Sequence, residues 1–115
     1  VETHGTGTGL GDPIEVGALK SVLGLGRQTP LVLGALKSNI GHLEGAAGIG
    51  GVVKVILSLQ KGQVPANLHF KQLNKHIDIE GFPVVMPVDI LEPKPLRFAS
   101  VSSFGFGGTN SHVIL

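Results

Sequence analysis

The 115-residue sequence contains no cysteine, tryptophan or tyrosine, and only 15% of its residues are charged. The absence of cysteine excludes disulfides, thiolate metal sites and a cysteine nucleophile within these residues. Nine basic and eight acidic residues leave a formal charge of +1, so the charge balance does not indicate a nucleic-acid-binding surface. Because a free-standing small domain usually carries about 25% charged residues, this composition indicates that another surface covers part of the chain.

Long apolar runs are also scarce. The longest, Ala46 to Leu57 around Lys54, is too short to cross a bilayer. The first residues show no basic region followed by an apolar stretch, as a secretory signal would. The length corresponds to one domain or less. We therefore expect a soluble cytoplasmic protein with no membrane partner.

Two helices are marked by their end signals. In "GDPIEVGALKSVLG", Asp12 predicts an N-cap, Pro13 the first helical position and Glu15 the partner in a capping box. A second helix is predicted from Ala46 to Leu59. It is apolar nearly all round, which indicates a core position, and its glycines predict that another backbone packs directly against it.

The remaining segments indicate strands and irregular chain. The opening "VETH" predicts a short strand, and "LVLGALKS" after Pro30 predicts a buried one. Five of the seven prolines lie between residues 64 and 96, which predicts an extended, irregular excursion. Two β-rich segments follow, Phe98 to Ser103 and Ser111 to Leu115. Strands alternating with helices predict an α/β layer.

Three glycine-rich segments follow predicted strands: "THGTGTGLGD", "LKSNIGHLEGAAG" and "SSFGFGGTNSH". Their spacings fit neither the dinucleotide fingerprint nor the P-loop. The five histidines show no i, i+4 pair, so no metal site is predicted. Loops that leave strands at one sheet edge are where α/β proteins collect their sites. His4 and His42 lie in two such loops, with Lys37 five residues before His42.

Together, "HGTGTGLGDPIE", "KSNIGH" with "GAAG" after it, and "SSFGFGGTNSHVIL" resemble the C-terminal half of β-ketoacyl synthases, the condensing enzymes of fatty-acid and polyketide synthesis. The resemblance covers the whole chain in the family's order and is closer to modular polyketide synthases. It implies a thiolase-like fold of two similar halves in five layers, α/β/α/β/α, of which residues 1–115 form the second half.

The resemblance also implies a reaction. The family condenses an acyl thioester, held on a cysteine, with a malonyl-type extender on acyl carrier protein. His4 and His42 match the two active-site histidines, whose N–H groups would bind the thioester oxygen as negative charge develops. Lys37 matches a lysine that positions and electrostatically tunes the histidine site. No cofactor binds directly, because the substrates are carried on phosphopantetheine.

Further roles follow from the same motifs. Thr6 and Thr8 match threonines that bind the phosphopantetheine arm, and the glycines between them would let the arm approach bare backbone. Phe106 matches a residue whose N–H helps to bind the acyl oxyanion and whose ring gates the acyl pocket. Two departures stand out: the chain lacks the nucleophilic cysteine of the N-terminal half, and Gly51 replaces a glutamate of many stand-alone relatives.

These implications define an expected assembly. The chain would be active only with the N-terminal half, as part of a homodimeric synthase that receives acyl carrier protein, and would be inactive alone. Two alternatives stay open: a non-catalytic module or chain-length-factor-like partner that only binds pantetheine or acyl carrier protein, and a thiolase. The thiolase is disfavoured because "GFGGTNSHVIL" contains no second cysteine. We expect the rings of His4 and His42 to lie within about 10 Å of each other, with Lys37 and Phe106 on loops at the same edge.

Overall fold

The computed structural model describes all 115 residues and contains one mixed sheet with a helix on each face. At 15 residues α3 is the longest helix, and no helix combines the length and apolar character needed to cross a membrane. In chain order the elements are α1 (Gly11–Leu23), β1 (Leu31–Val32), α2 (Lys37–Ile40), a 3-10 turn (Glu44–Ala46), α3 (Ala47–Lys61), β2 (Val84–Val85), β3 (Ser100–Phe104) and β4 (Asn110–Ile114).

Residues 1–3 join the two strand pairs into one sheet. β1 pairs in parallel with β2, and β3 pairs antiparallel with β4. Thr3 N–H donates to the Gly34 carbonyl at 2.8 Å, and Glu2 N–H donates to the Ser100 carbonyl at 2.7 Å. Across the sheet the order is therefore β2, β1, residues 1–3, β3 and β4. Glu2 lies on the central segment.

The helix α1 covers one face of the sheet and forms the main apolar core. Val16 and Leu19 of α1 are buried against Leu33 and Phe82. Because side chains alternate across a strand, Gly34 faces the opposite side. A Cβ added there would lie 2.9 Å from Lys54 Nζ, which places α3 on that opposite face.

The glycines of α3 let it approach β3 closely. A Cβ added at Gly51 would lie 2.8 Å from Val101 Cγ1, and one added at Gly48 would lie 3.1 Å from Ser103 Oγ. Close packing at these glycines therefore occurs as the sequence indicates. The contacting atoms, however, belong to side chains, so the expectation of direct backbone packing was wrong.

The outer face of α3 is exposed, although the helix is apolar nearly all round. The exposed fraction is 62% for Ile49, 51% for Val53 and 47% for Leu57. These side chains line a groove of about 540 Å³ together with Leu36 and Ile40. Only 16 of 115 residues are buried. This chain covers one side of α3 and leaves the other side exposed.

The start of α1 differs from its prediction. The helix begins at Gly11 after Leu10, whose side chain makes no capping bond. Asp12 is therefore not the N-cap, and its Oδ1 instead accepts from the Gly7 N–H at 3.1 Å. Glu15 forms no capping box, because its carboxylate binds the chain that precedes the helix.

Three other boundaries also differ. Lys37, expected on a strand that runs through "LVLGALKS", is the first residue of α2. The excursion from residue 64 to 96 contains β2, whose two residues are too few to show a period. The strands β3 and β4 are each displaced by one or two residues from the expected bounds, within the usual uncertainty of element ends.

Replacing Gly51→Ala should destabilise the protein, because the new methyl group would overlap Val101. We expect a loss of about 1–3 kcal/mol, as for overpacked cores. The matched control is Gly17→Ala in α1, where a Cβ meets no atom within 4 Å. That change should stabilise the protein by about 0.4–1 kcal/mol. Urea denaturation followed by circular dichroism measures both, and equal stability of the two variants would contradict the close α3–β3 approach.

Candidate active site

The loop that carries His4 is held by Glu15 of α1. Glu15 Oε1 accepts from the His4 N–H at 2.8 Å, and Oε2 accepts from the Gly5 N–H at 3.0 Å. Burial raises the pKa of Glu15, while these two N–H groups oppose the rise. Gly5 has φ +49°, a conformation that favours glycine. The glycine after His4 therefore permits the turn that Glu15 fixes.

The His4 imidazole has a defined orientation. Its Nδ1 accepts from the backbone N–H of Phe104 at 3.3 Å, and the two rings lie 5.5 Å apart. A neutral imidazole that accepts at one nitrogen carries its proton on the other. The contact therefore assigns the Nε2–H tautomer to neutral His4 and leaves Nε2 as the donor.

The same arrangement occurs at His42. The chain leaves α2 through Gly41 at φ +79°, and Glu44 at φ +48° turns it into the 3-10 turn. The Glu44 N–H donates to His42 Nδ1 at 2.9 Å. Neutral His42 is therefore also the Nε2–H tautomer, with Nε2 as its donor.

The two histidines meet in space although they lie 38 positions apart in the sequence. Their ring centroids are 5.8 Å apart and their planes are inclined by 83°. The expected separation of less than about 10 Å is confirmed. Two Nε2–H donors at this distance have the chemistry to bind one oxygen that gains negative charge.

Lys37 contributes positive charge beside this pair. Burial lowers the pKa of Lys37, whereas Glu2 and Glu15 oppose that decrease. Burial also lowers the pKa of His4 from its ordinary value of 6.5, and the charges of Lys37 and His42 lower it further. The site therefore favours a neutral His4 next to a lysine cation.

The threonines occupy the loop between His4 and α1. Thr8 Oγ1 accepts from the Gly11 N–H at 3.0 Å, and the Thr8 carbonyl accepts from Asn74 at 3.4 Å. The O–H of Thr8 stays available as a donor, because only a lone pair is used. Thr6 is exposed on the same loop. Neither threonine shows a contact that tests binding of a pantetheine arm.

Phe106 is not brought against the histidines. Its ring is fully exposed in the β3–β4 hairpin, where the Gly105 N–H donates to the Thr109 carbonyl at 2.6 Å. Phe104, two residues earlier, supplies both the N–H and the ring that contact His4. The segment "FGF" contains both residues, and the match to the family motif indicates Phe106 only.

Asn67 is a further structural residue that the sequence analysis missed. It is buried, its Oδ1 accepts from the Ala35 N–H at 2.8 Å and its Nδ2 donates to the Leu33 carbonyl at 3.0 Å. These bonds fix the chain just before α2 and Lys37. Asn67 lies in the proline-rich excursion, where no local pattern marks it. No group of three or more histidine, aspartate or glutamate side chains is arranged to hold a metal ion.

The sequence pattern of the β-ketoacyl synthase C-terminal domain matches residues 1–71, so the chain belongs to this family. It corresponds to the C-terminal part of a ketosynthase domain, and its fold is thiolase-like. A ketosynthase from module 6 of the bacillaene synthase of Bacillus subtilis superposes with a TM-score of 0.90 at 39% identity, covering 98% of this chain and 21% of that one. Ketosynthase twelve of the bacillaene polyketide synthase of Bacillus amyloliquefaciens gives 0.89 at 40% identity, covering 98% and 21%.

Multidomain synthases show the same relationship. The hybrid PKS-NRPS synthetase pynA of Aspergillus niger is 49% identical over 118 residues, covering 99% of this chain and 3% of that protein. The highly reducing polyketide synthase PKS6 of Gibberella zeae is 50% identical over 117 residues, covering 100% of this chain and 4% of that protein. The chain thus spans a small fraction of the curated relatives it matches, and the resemblance carried by the three motifs is confirmed.

Replacing Lys37→Met should raise the pKa of His4, because the neighbouring cation that disfavours imidazolium is removed. The pKa should stay below 6.5, since burial is the larger cause of the shift. NMR titration of the His4 Cε1–H, assigned with His4→Gln, measures this. Lys61→Met at the exposed end of α3 is the control and should change nothing. A His4 pKa that Lys37→Met leaves unaltered would contradict the electrostatic coupling.

Proposed function

We propose that this chain supplies the decarboxylation site of a ketosynthase that performs a decarboxylative Claisen condensation. The acceptor is an acyl thioester, and the donor is a malonyl-type extender carried on acyl carrier protein. The observation that supports the proposal is the pair of histidines, 5.8 Å apart, whose Nδ1 atoms both accept backbone N–H groups. This arrangement leaves both Nε2–H groups available to donate to a substrate oxygen.

In the proposed reaction the extender loses its carboxylate as carbon dioxide, and the electrons of the broken C–C bond form an enolate. The negative charge develops on the extender's thioester oxygen, to which His4 and His42 donate. The enolate carbon then attacks the acyl carbon, and the cysteine thiolate of the preceding half leaves. Preorganised donors of this kind act where charge develops, so they stabilise the transition state more than the substrate.

Lys37 takes an electrostatic part in this proposal. Burial lowers the pKa of His4, and the Lys37 cation lowers it further, so both favour the neutral imidazole that the mechanism needs. A protonated His4 would lose the acceptor function at Nδ1 that binds the Phe104 N–H. Lys37 therefore maintains the orientation of His4 without touching the reacting carbon.

The remaining assignments extend the proposal to the substrate carrier. Thr6 and Thr8 bind the phosphopantetheine arm along the glycine loop, and Phe106 contributes its N–H to the acyl oxyanion and its ring to the acyl gate. A fully exposed Phe106 ring on a glycine-flanked turn is compatible with such a gate. The exposed α3 face is compatible with the N-terminal half as a partner, and the complete domain would work as a homodimer.

Replacing His42→Ala in the intact synthase should lower carbon dioxide release by about 10²–10³, because one donor to the developing enolate oxygen is lost. Acyl loading of the upstream cysteine should persist, since the nucleophile is unchanged. Radiolabelled loading and carbon dioxide release are measured separately. His76→Ala, at an exposed histidine, is the matched control. Release at the parental rate from the His42 variant would refute the two-donor mechanism.

The two threonines separate arm binding from loop structure. Thr6→Val should weaken binding of the carrier-borne extender by about 0.5–1.5 kcal/mol, the contribution of one neutral hydrogen bond. Thr8→Val should do the same and also lower stability by about 0.5–2 kcal/mol, because the Gly11 N–H loses its acceptor. Thr8→Ser keeps the hydroxyl and serves as control. The KM for the carrier-borne extender and urea denaturation distinguish the effects, and a KM unchanged in both valine variants would exclude the arm-binding role.

A further inference from the structure

The helix α2, which begins with Lys37 and leads to His42, is too short to hold its own position. It has four residues, and the residue before it makes no side-chain capping bond. The Ile40 N–H donates to the Leu36 carbonyl at 3.1 Å, and the Gly41 N–H donates to the Lys37 carbonyl at 3.0 Å. Because the first turn of a helix is unfavourable to form, so short a helix depends on partners elsewhere in the fold.

Asn67 supplies such partners from the proline-rich excursion. Its Oδ1 accepts from the Ala35 N–H at 2.8 Å, and its Nδ2 donates to the Leu33 carbonyl at 3.0 Å. The Asn67 N–H donates to the Pro87 carbonyl at 2.7 Å. With only 8% of its surface exposed, Asn67 therefore joins the chain that leads from β1 into α2 to the chain that follows β2.

The residues on either side of this asparagine bind α2 itself. The Ala66 carbonyl accepts from Asn39 Nδ2 at 3.1 Å, and the Leu68 N–H donates to Ser38 Oγ at 3.1 Å. Each of the three consecutive residues 66–68 is therefore hydrogen-bonded to α2 or to the chain just before it.

The start of α2 has one further polar partner, on the central segment of the sheet. The Leu36 N–H donates to Glu2 Oε1, while Glu2 Oε2 lies 2.6 Å from Lys54 Nζ in a buried ion pair. This contact reaches only the residue before the helix. The hydrogen bonds from distant residues to α2 itself come from segment 66–68.

His4 is held without this segment. Glu15 accepts the His4 N–H, and the Phe104 N–H donates to His4 Nδ1. The two histidines of the site therefore have separate supports, although their rings are 5.8 Å apart. A change in segment 66–68 would act on one histidine and spare the other.

We propose that Asn67 is a positioning residue of this site, which holds α2 so that Lys37 and His42 keep their place beside His4. Asn67 acts through the main chain of residues 33–41 and not by contact with the substrate. The inference rests on the proposed condensation for its catalytic consequence only, because the hold on α2 can be measured without any reaction.

Hydrogen–deuterium exchange of the intact ketosynthase domain, read by mass spectrometry, measures how firmly α2 is held. Asn67→Asp has nearly the same shape and keeps an acceptor for the Ala35 N–H, but it loses the donor to the Leu33 carbonyl. We expect the amides of residues 37–44 to exchange about tenfold faster, because the loss of a buried hydrogen bond favours local opening. The amides of residues 4–9 should exchange at the parental rate.

The matched control is Asn74→Asp, which makes the same chemical change in the same excursion. The Asn74 donor bond runs to the Thr8 carbonyl at 3.4 Å and not to α2. The Asn74 Oδ1 also accepts the His76 N–H, a bond that aspartate retains. This variant should leave the exchange of residues 37–44 unchanged.

A second variant tests the same contacts from the α2 side if Asn67→Asp folds poorly. Asn39→Asp removes the donor to the Ala66 carbonyl at a half-buried position, so it leaves the core intact. It should raise the exchange of residues 37–44 and spare residues 4–9. Parental exchange of residues 37–44 in the folded variants, or an equal rise in residues 4–9, would overturn the proposal.

Carbon dioxide release and acyl loading give the catalytic readout. In both variants kcat for release should fall by roughly ten- to a hundredfold, because a misplacement of about 1 Å can cost about 10²-fold. The KM for the carrier-borne extender and the rate of acyl loading should stay at parental values, since neither the loop of Thr6 and Thr8 nor the nucleophile is altered. An unchanged kcat in a variant with faster exchange would make Asn67 a structural residue only and would overturn the positioning role.

Failure of the proposed condensation would be recognised separately. If the parent released no carbon dioxide, the proposed function would fail, and the exchange of residues 37–44 would still decide whether Asn67 holds α2. A rise confined to those residues would support that hold, and parental exchange would refute it.

Discussion

The buried attraction between Glu2 and Lys54 is the constraint on which the rest of the structure depends. Two charges removed from water each need the other, and deleting one partner of such a pair commonly costs about 3–5 kcal/mol. The pair therefore fixes the distance between α3 and the sheet. The helix and the sheet also meet closely at Gly51, where an added Cβ would lie 2.8 Å from Val101 Cγ1 and 3.2 Å from Glu2 Cγ.

The main chain, not a set of side chains, determines the chemistry of the histidines. Each Nδ1 is occupied by a backbone N–H, from Phe104 at His4 and from Glu44 at His42. The tautomers are thus fixed by strand β3 and by the 3-10 turn. A backbone donor is insensitive to substitution at its own position, so the proton location on both rings is protected against most changes around the site.

Elements with a strong local signal were predictable from the sequence. The apolar run of α3 and its end at Gly62 predict that helix, and the three motifs identify His4, Lys37 and His42. Part of the errors arises from competition by partners elsewhere in the chain. Glu15 fits a capping box by spacing, yet the N–H groups of the His4 loop bind its carboxylate. The partners of Asn67 lie some 32 residues away along the chain, so no local sequence pattern indicates them. The strand β2 has only two residues, which is too short to produce a recognisable pattern.

The distribution of partners has a consequence for exchanging this segment between synthases. The groups that orient the histidines or carry charge near Lys37, namely Glu2, Glu15, Glu44 and Phe104, all lie within these 115 residues. A chimera that inherits the segment would therefore inherit these contacts. The outer side of α3, with Ile49, Val53 and Leu57, is exposed and has no packing partner within these residues. Compatibility of a graft would therefore depend on the fit between that apolar face and the recipient's surface.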